Sequence, residues 1–241
     1  MALAIRFLGA VSLGGRFPLL AGVTFDIAEG EVVHLRGPNG AGKSSLLRAC
    51  AGLIPIHSGE AFVLGHDLRA DRVDVRREVG LLGHTSFLYD ELTVEDNLRF
   101  FLRAARVDAA MMRVGLDRME IPKRLRSVRV GRLSAGQRRR VSIASLVARS
   151  PRLWLLDEPH AGLDAQGRII LDEVVGEVRA CGATVVLASH ELERAGELCD
   201  RVLEMAGGQV ITVEDDTPKN GVERPVVVKD AKDERLGRDV A

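Results

Sequence analysis

Short apolar runs rich in β-branched residues alternate along the chain with longer stretches that have helical spacing. Five runs have the length and composition of buried strands: residues 31–36, 60–64, 153–156, 183–188 and 201–204. Two other stretches predict helices, one from Ser44 to about Gly52 and one over residues 165–180, just before Gly182. Glycine can supply the left-handed conformation that ends many helices. The alternation therefore predicts an α/β fold, with a mixed sheet and flanking helices.

The segment from about residue 92 to residue 150 has helical spacing and hardly any strand signal. We therefore expect an α-helical subdomain, about residues 85–150, inserted in a sheet domain that spans residues 1–213. From Glu214 onward the chain has no aromatic residue, mixes acids with bases, and keeps apolar content only at residues 226–228. Residues 214–241 are expected to form a charged, mobile tail.

Charge and cysteine content narrow the class of protein. The 241 residues, enough for one large domain, hold 34 lysines plus arginines and 34 aspartates plus glutamates, so net charge indicates neither a nucleic-acid nor an acidic partner. Three cysteines without C-x-x-C spacing predict no disulfide framework and no zinc site, which fits a reducing cytosol. No apolar run approaches the roughly 18 residues that span a bilayer, and the first residues do not resemble a signal peptide. We expect any membrane role to be carried out from outside the lipid.

Residues 37–44 match the pattern G-x-x-x-x-G-K-S/T between a predicted strand and a predicted helix. Glycines let consecutive backbone N–H groups turn inward, and the helix adds its positive dipole end, so the predicted ligand is a polyphosphate. Lys43 would reach the terminal phosphates, and the Ser44 hydroxyl would bind Mg²⁺, a role for which Ser45 lies one position too late. The predicted nucleotide-binding residues here are Gly37, Pro38, Asn39, Gly40, Ala41, Gly42, Lys43, Ser44 and Ser45.

A second part of the site is predicted where a buried strand ends in two consecutive acids, Asp157 and Glu158. Burying carboxylates without a cation or a polar partner is costly, so Asp157 is predicted to hold magnesium directly or through water. Glu158 is the candidate general base, or the group that orients the water attacking the γ-phosphate. A strand end that simply meets solvent is the alternative, and the phosphate loop makes it the weaker one.

A third feature is the string L-S-A-G-Q at residues 133–137, which precedes a strongly helical run. Ser134 stands where an N-cap should be, and Gly136 would let a ligand approach closely, which would make a second anion site. Because one nucleotide needs only one such cradle, this second cradle would cover the phosphate held by another copy or a partner. The same spacing, with Gln137 three residues after Ser134, also describes an ordinary capping box.

These strings, together with G-L-D at residues 162–164 and Ser189-His190, resemble in order the motifs of the nucleotide-binding subunits of ABC transporters. The resemblance covers about residues 3–210. It implies two subunits closed head to tail, with each ATP between the phosphate loop of one and the L-S-G-G-Q-type signature of the other. Carried over, Ser134, Gly136 and Gln137 would touch the opposite γ-phosphate, Asp164 would connect the two sites, and His190 would contact the γ-phosphate and the attacking water.

Two positions depart from the family pattern. The family usually has a glutamine that binds magnesium and water at the start of the helical lobe, and His84 stands there in this chain. A histidine can replace that polar contact, so His84 is the third candidate residue of the magnesium site, although it changes charge near neutral pH and is a less natural ligand for magnesium. The family also stacks an aromatic residue on adenine upstream of the phosphate loop. Phe17 is the candidate for that role, and a place in the core is the alternative.

The Leu-Gly-His string at residues 82–84 resembles the string at the same place in the ATP-binding subunit of the haem exporter of cytochrome c maturation. In that subfamily a glutamine commonly follows the histidine, whereas this chain has Thr85. The resemblance implies an ATPase with ATP and Mg²⁺ as cofactors, peripheral on the cytoplasmic side of the membrane. Its partners would be a second ATP-binding subunit and an integral membrane subunit that contacts the helical lobe near residues 87–101. There Phe87, Leu88 and Tyr89 would be exposed, or would pack inside the lobe.

Other functions fit the same sequence. The ATPase could serve a transporter for another substrate, or a soluble factor acting on nucleic acid or the ribosome, for which the basic stretch 113–140 would face phosphate. That stretch has no aromatic residue to stack on bases. Factors of that class also generally carry two ATP domains or a long coiled-coil insert. We therefore expect no nucleic-acid partner. A regulatory protein that binds ATP without cleaving it is a third possibility.

Overall fold

The protein, seen here in a computed structural model, is described over residues 2–189 and 199–215. The strands in this part of the chain are β1 (Leu3–Gly14), β2 (Phe17–Ala28), β3 (Val32–Arg36), β4 (Ser58–Val63), β5 (His66–Asp67), β6 (Val79–Leu82), β7 (Leu153–Asp157), β8 (Thr184–Ala188), β9 (Arg201–Ala206) and β10 (Gln209–Asp215). The helices are α1 (Lys43–Cys50), α2 (Val75–Glu78), α3 (Val94–Ala105), α4 (Met111–Arg118), α5 (Lys123–Arg126), α6 (Ala135–Arg149) and α7 (Ala165–Ala180).

A six-stranded sheet forms the centre of the fold, in the order β10-β9-β3-β8-β7-β6. β10 is antiparallel to β9, and the other neighbouring pairs are parallel. The predicted mixed sheet is therefore confirmed. The strand predictions at residues 31–36, 153–156, 183–188 and 201–204 correspond to β3, β7, β8 and β9. Their near-continuous apolar runs follow from burial on both faces of a mainly parallel sheet.

A second, antiparallel sheet has the order β2-β1-β4-β5. The predicted strand at residues 60–64 falls on β4, but the sequence analysis did not predict β1 or β2. The pairing of these two strands shifts register at several places, one of them between Phe7 and Ala10, where Gly9 has a φ of 57°. Such bulges break the strict alternation of apolar and polar residues by which a half-buried strand is recognised.

Two hydrophobic cores lie on the opposite faces of the six-stranded sheet. Leu153 and Leu155 of β7 join a core that also contains residues of α1 and of the antiparallel sheet. Trp154 and Leu156 point the other way, into a core shared with residues of α3, α4, α6 and α7. The period of two along a strand therefore sends alternate side chains into different cores.

The segment between β6 and β7 contains α3, α4, α5 and α6 and one isolated β-bridge between Thr93 and Arg129. The predicted helical character of this segment is confirmed. α3 begins at Thr93, whose hydroxyl accepts a hydrogen bond from the backbone N–H of Asp96. α4 packs closely on α6. A Cβ added at Gly115 of α4 would lie only 2.2 Å from the carbonyl oxygen of Ala144 of α6.

Two predicted helices, α7 and α1, end close to where the sequence indicates. α7 begins and ends at the predicted residues, and α1 ends just before Gly52, which has a left-handed φ of 66°. β10 includes Glu214 and Asp215, the first two residues of the expected tail. The expected tail beyond them, residues 216–241, lies outside the described residues. None of the described helices combines the length and the apolar composition that crossing a bilayer requires.

Candidate functional site

The two acidic residues and the glycine-rich loop meet at one edge of the central sheet. Leu35 of β3 and Asp157 of β7 both pair with Ala188 of the strand between them, β8. The loop that leaves β3 and the acids that end β7 are therefore two strand spacings apart, roughly 10 Å. Parallel strands that end at a common edge form the crevice in which α/β proteins bind their ligands.

Glycine conformations shape the loop at residues 37–44. Gly37, Gly40 and Gly42 have φ angles of 142°, 81° and 105°, values that other residues rarely adopt. Gly42 is the N-cap of α1, so the first N–H groups of that helix face the space inside the loop. Helix N-termini of this kind attract anions.

Lys43 lies across the same loop. It is 8% exposed, and its ammonium group donates hydrogen bonds to the carbonyl oxygens of Gly37 at 2.6 Å and Pro38 at 3.2 Å. The side chain thus turns back from α1 towards the start of the loop. A positive charge held there, beside the N–H groups of α1, makes the loop suited to phosphate groups.

Neighbouring strands hold the loop in place. Gly208, in the turn between β9 and β10, donates to the carbonyl oxygen of Ala41, and its own carbonyl accepts from Ala21 of β2. Phe17, at the start of β2, is 78% exposed, so the alternative that it packs in the core is wrong. Leu19, two residues further, approaches the loop: a Cβ added at Gly42 would lie 3.2 Å from its carbonyl oxygen.

The acidic pair has two different environments. Asp157 is 7% exposed, and no group in the described part of the chain donates a hydrogen bond to its carboxylate. A buried carboxylate with unused oxygen lone pairs fits a hard cation such as magnesium. Glu158 is less buried and has a φ of 46°, which is unusual for a residue with a Cβ. Its N–H donates to Ala188 at 2.8 Å, which fixes one side of this turn.

The sequence analysis gave no role to Arg139, which contacts the acidic pair from α6. This side chain is buried, and its guanidinium donates to the carbonyl oxygens of Gly83 (2.6 Å), Asp157 (2.9 Å), Glu158 (2.5 Å) and Pro159 (3.3 Å). Burial lowers the pKa of Arg139, and the charges of Asp157 and Glu158 raise it. In the sequence it is one of three successive arginines, and only its position around the axis of α6 directs it towards the acidic pair.

A second residue that the sequence analysis missed is His160, which follows the acidic pair. It is buried, and its Nε2 lies 2.7 Å from a carboxylate oxygen of Asp172 on α7. This contact ties the segment after Glu158 to the helix behind it. A lone histidine between a proline and an alanine gives no signal from which such a contact could be predicted.

Ser134 caps α6, as the alternative interpretation of its sequence predicted. Its hydroxyl accepts from the N–H of Gln137 at 3.2 Å, and the Gln137 side chain accepts from the N–H of Ser134 at 3.0 Å. The capping box is therefore present, and it does not exclude a further contact from these exposed groups. Glycine is needed at position 136 for packing within the chain itself, because a Cβ there would lie 2.8 Å from the carbonyl oxygen of Gly162.

Asp164 is the N-cap of α7 and forms an ion pair at 2.7 Å with Arg140 of α6. The Arg140 guanidinium, more than any other group, lowers the pKa of the Asp164 carboxyl below its ordinary value. This carboxylate thus stays charged near neutral pH while most of its surface faces solvent. Within the chain it joins the segment after the acidic pair to the helix that begins at Ser134.

The last two predicted residues are histidines. His84 is exposed and lines a cleft of about 390 Å³ together with Ala135, Arg138, Arg139 and Gly162. The cleft brings the position after β6 next to the start of α6. His190 lies outside the described residues. The residue before it, Ser189, is buried at the carboxyl end of β8, and its carbonyl oxygen lies 3.0 Å from Nε2 of His34.

Comparison with known proteins agrees with this geometry. A family model described as ABC transporter matches residues 20–161. A solved structure described as an ATP-binding subunit of an ABC transporter is 29% identical, with a TM-score of 0.82, over 88% of this chain and 90% of the other. A dimeric ATP-binding cassette bound to ADP and Pi also has a TM-score of 0.82, but at 23% identity it shows the fold alone. The chain belongs to the ABC transporter family.

Curated relatives differ in what they transport and in how much of their length this chain covers. The cytochrome c biogenesis ATP-binding export protein CcmA of Paramagnetospirillum magneticum is 42% identical over 73% of this chain and 82% of its own length. The protein of the same name from Cupriavidus pinatubonensis is 36% identical over 84% and 88%. The human phospholipid-transporting ATPase ABCA7 is 34% identical over 82% of this chain, which spans only 9% of that relative's length. The predicted family, fold class and ATPase class are confirmed.

Proposed function

We propose that the chain is the ATP-binding, ATP-hydrolysing subunit of an ABC transporter and powers a separate membrane subunit by closing as a dimer. One observation carries this proposal: the phosphate loop with Lys43 and the acidic pair Asp157-Glu158 share one edge of the sheet. A phosphate cradle alone would suit a binding protein. A cradle beside a buried cation ligand and a second carboxylate suits hydrolysis.

Each residue of the site has a proposed role in this reaction. The backbone N–H groups of the loop, within residues 37–45 but without Pro38, bind the phosphates, and Lys43 leaves its two loop carbonyls for the terminal phosphates. Ser44 and Asp157 would hold a magnesium ion, which neutralises charge on the phosphate oxygens. Glu158 orients and deprotonates the attacking water, and His84 and His190 complete the surroundings of the γ-phosphate. Phe17 is exposed and lies two residues before Leu19, whose carbonyl oxygen approaches Gly42 of the loop, and it would stack on adenine.

The second half of each ATP site comes from a second copy of the chain. Ser134, Gly136 and Gln137 are proposed to face the γ-phosphate bound by the partner's loop, with Asp164 near the contact between the two sites. Support comes from the exposure of Ser134 and the partial exposure of Gly136 and Gln137 at the N-terminus of α6, whose positive dipole end favours an anion. We infer that the helical segment between β6 and β7 acts as a subdomain that presents this N-terminus to the partner.

An aromatic cluster on the helical segment is the proposed contact for the membrane subunit. The Tyr89 ring lies 5.1 Å from that of Phe100, which lies 5.5 Å from that of Phe101. Phe87, Tyr89 and Phe100 are about half exposed, whereas Leu88 packs against the core. Exposed aromatic groups that are clustered in this way favour a protein contact. A subunit bound there would lie at the membrane, on its cytoplasmic side.

Haem export for cytochrome c biogenesis is the proposed transport reaction. It is supported by the Leu-Gly-His string and by the relatives named as cytochrome c biogenesis export proteins, most of whose length this chain covers. The alternative, nucleic-acid binding by residues 113–140, is disfavoured, because several arginines of that stretch are paired with carboxylates. These pairs are Arg113 with Asp117, Arg118 with Glu173 and Glu177, Arg126 with Asp117, Arg138 with Asp90, and Arg140 with Asp164.

Substitution of the loop lysine and of the second acid tests the hydrolysis. Glu158→Gln should lower the turnover of ATP by about a hundredfold or more while ATP still binds, because the amide cannot accept the proton from water. Lys43→Ala should weaken ATP binding itself. Glu60→Gln and Lys123→Ala, which change exposed residues elsewhere, are the matched controls and should behave as the unmodified chain. Undiminished hydrolysis in both site variants would show that the assignment is wrong.

A further inference from the structure

Arg139 is a buried charge whose described hydrogen bonds go to main-chain carbonyl oxygens rather than to a carboxylate. Burying a guanidinium in this way costs free energy, and an apolar side chain of similar volume would often stabilise a core better. The five donors of arginine, fixed in one plane, can instead hold several carbonyl groups in a set arrangement. The arrangement of those carbonyls therefore indicates what Arg139 does.

The carbonyls belong to two segments of the site. One is that of Gly83, directly before His84 and just after the end of β6. The others are consecutive and run from Asp157, the last residue of β7, through Pro159. Both segments leave the carboxyl edge of the central sheet and, apart from Asp157, lie outside the described strands and helices.

Glu158 is the residue for which this fixing has a chemical consequence. Its φ of 46° is a conformation that costs free energy for a residue with a Cβ. Its N–H donates to the carbonyl oxygen of Ala188 at 2.8 Å, and its own carbonyl oxygen accepts from Arg139 at 2.5 Å and from the N–H of Ala161 at 3.1 Å. The peptide groups on both sides of the Cα are therefore restrained. Without the guanidinium, that carbonyl would keep only the longer bond from Ala161 among its described contacts. Rotation about the turn would then relax the strain and move the carboxylate.

We propose that Arg139 is a positioning residue for hydrolysis, which holds the Glu158 turn and the segment before His84 in a fixed arrangement against α6. The inference rests on the proposed function. It also gives α6 two separate roles, because its N-terminus, at Ser134, serves the ATP bound by the partner, whereas Arg139 acts on the ATP site of its own chain. The two sites of a dimer are thereby joined through little more than one turn of one helix.

The same helix offers a matched control. Arg149, at the other end of α6, is partly buried and also donates to main-chain carbonyls, those of Arg76 and Val79. Burial lowers the pKa of Arg149 as well. Its bonds hold the start of β6, some 15 Å along the helix from Arg139. Loss of Arg149 therefore removes an arginine that bonds main-chain carbonyls from the same helix, without a change at the acidic pair.

The test compares Arg139→Gln, Arg139→Lys and Arg149→Gln in the full chain. For each we would measure kcat and KM for ATP, the Kd of a fluorescent ATP analogue, and the thermal unfolding midpoint. Arg139→Gln should lower kcat roughly tenfold to a hundredfold with an unchanged Kd, because a misplaced base affects the chemical step and leaves binding intact. The kcat of Arg139→Lys should fall between those of Arg139→Gln and the unmodified chain, since one ammonium group reaches fewer carbonyls. Arg149→Gln should lower the midpoint and keep kcat per folded molecule.

Several outcomes would overturn the inference. One is a kcat for Arg139→Gln that follows its folded fraction, as that of Arg149→Gln should, and another is an effect on Kd alone. If Arg139→Gln does not fold, Arg139→Lys decides, and a kcat equal to that of the unmodified chain refutes the role. If the unmodified chain itself shows no turnover, the proposed function fails, and the inference fails with it. Normal turnover of the unmodified chain with equal kcat in all variants refutes the inference alone.

Discussion

Gly37 and Gly40 both have a left-handed backbone, but their surroundings differ. A Cβ added at Gly37 would lie 2.2 Å from the carbonyl oxygen of Met205 in β9, whereas nothing lies within 4 Å of one added at Gly40. Both glycines are therefore needed for their φ angles, and Gly37 is also needed for space. Substitution at the two positions can therefore separate the requirement for a positive φ from the requirement for space beside β9.

Alanine at each position should reveal that difference. Gly40→Ala should lower the free energy of unfolding by about 1 kcal/mol, from backbone strain alone. Gly37→Ala should lower it by roughly 3 kcal/mol, because overpacking against β9 is added to the strain. Urea denaturation monitored by circular dichroism measures both values. Equal losses would contradict the close contact with Met205.

Sequence patterns predicted the candidate residues whose proposed roles depend on residue type, and the structure places the loop and the acidic pair at one edge of the central sheet. A phosphate loop needs glycines and a lysine at set spacing, and a cation site needs a carboxylate at a strand end, so both could be read from the chain. Arg139 and His160 act through where the fold places them. Nothing in three successive arginines indicates which one is buried among carbonyls, and the partner of His160 is twelve residues away on another element.

Elements were predicted where burial is complete and missed where it is partial. β7 and β8 are buried along their whole length, and their apolar runs mark them clearly. β1 alternates irregularly between buried and exposed residues, with register shifts against β2, and so has no clean period. The helical segment was predicted from spacing, although its close contacts, such as that of α4 with α6 at Gly115, could not be.

Two helical glycines provide a matched test of that contact. Gly115→Ala would place a methyl group 2.2 Å from the Ala144 carbonyl oxygen and 2.9 Å from the Ala148 Cβ, so α4 must shift. We expect a loss of about 2 kcal/mol in the free energy of unfolding. Gly176→Ala, on the exposed side of α7 with nothing within 4 Å, should instead gain up to about 1 kcal/mol. Thermal and urea denaturation distinguish the two signs, and a gain in both would refute the tight packing of α4 on α6.

At the scale of the whole molecule, the fold separates the parts of the proposed reaction. The phosphate loop and acidic pair lie at the edge of the central sheet, whereas Ser134 starts a helix of the segment inserted between β6 and β7. A nucleotide between two copies would bring them together, with the loop of one chain facing the helix of the other. ATP would then join two chains when bound and release them when hydrolysed, which is how chemical energy could reach a membrane subunit docked on the helical segment.

Substitutions at Ser134 can test this division without damage to the fold. In a Glu158→Gln background, which slows hydrolysis, ATP should convert the monomer to a dimer by light scattering. Asp and Asn are both good N-caps, so Ser134→Asp and Ser134→Asn should both preserve α6. Only Asp places a negative charge against the partner's phosphate, so Ser134→Asp should prevent dimer formation while the monomer still binds a fluorescent ATP analogue. Ser134→Asn should still dimerise. An ATP-bound dimer in the Ser134→Asp variant would mean that this end of α6 does not face the partner's nucleotide.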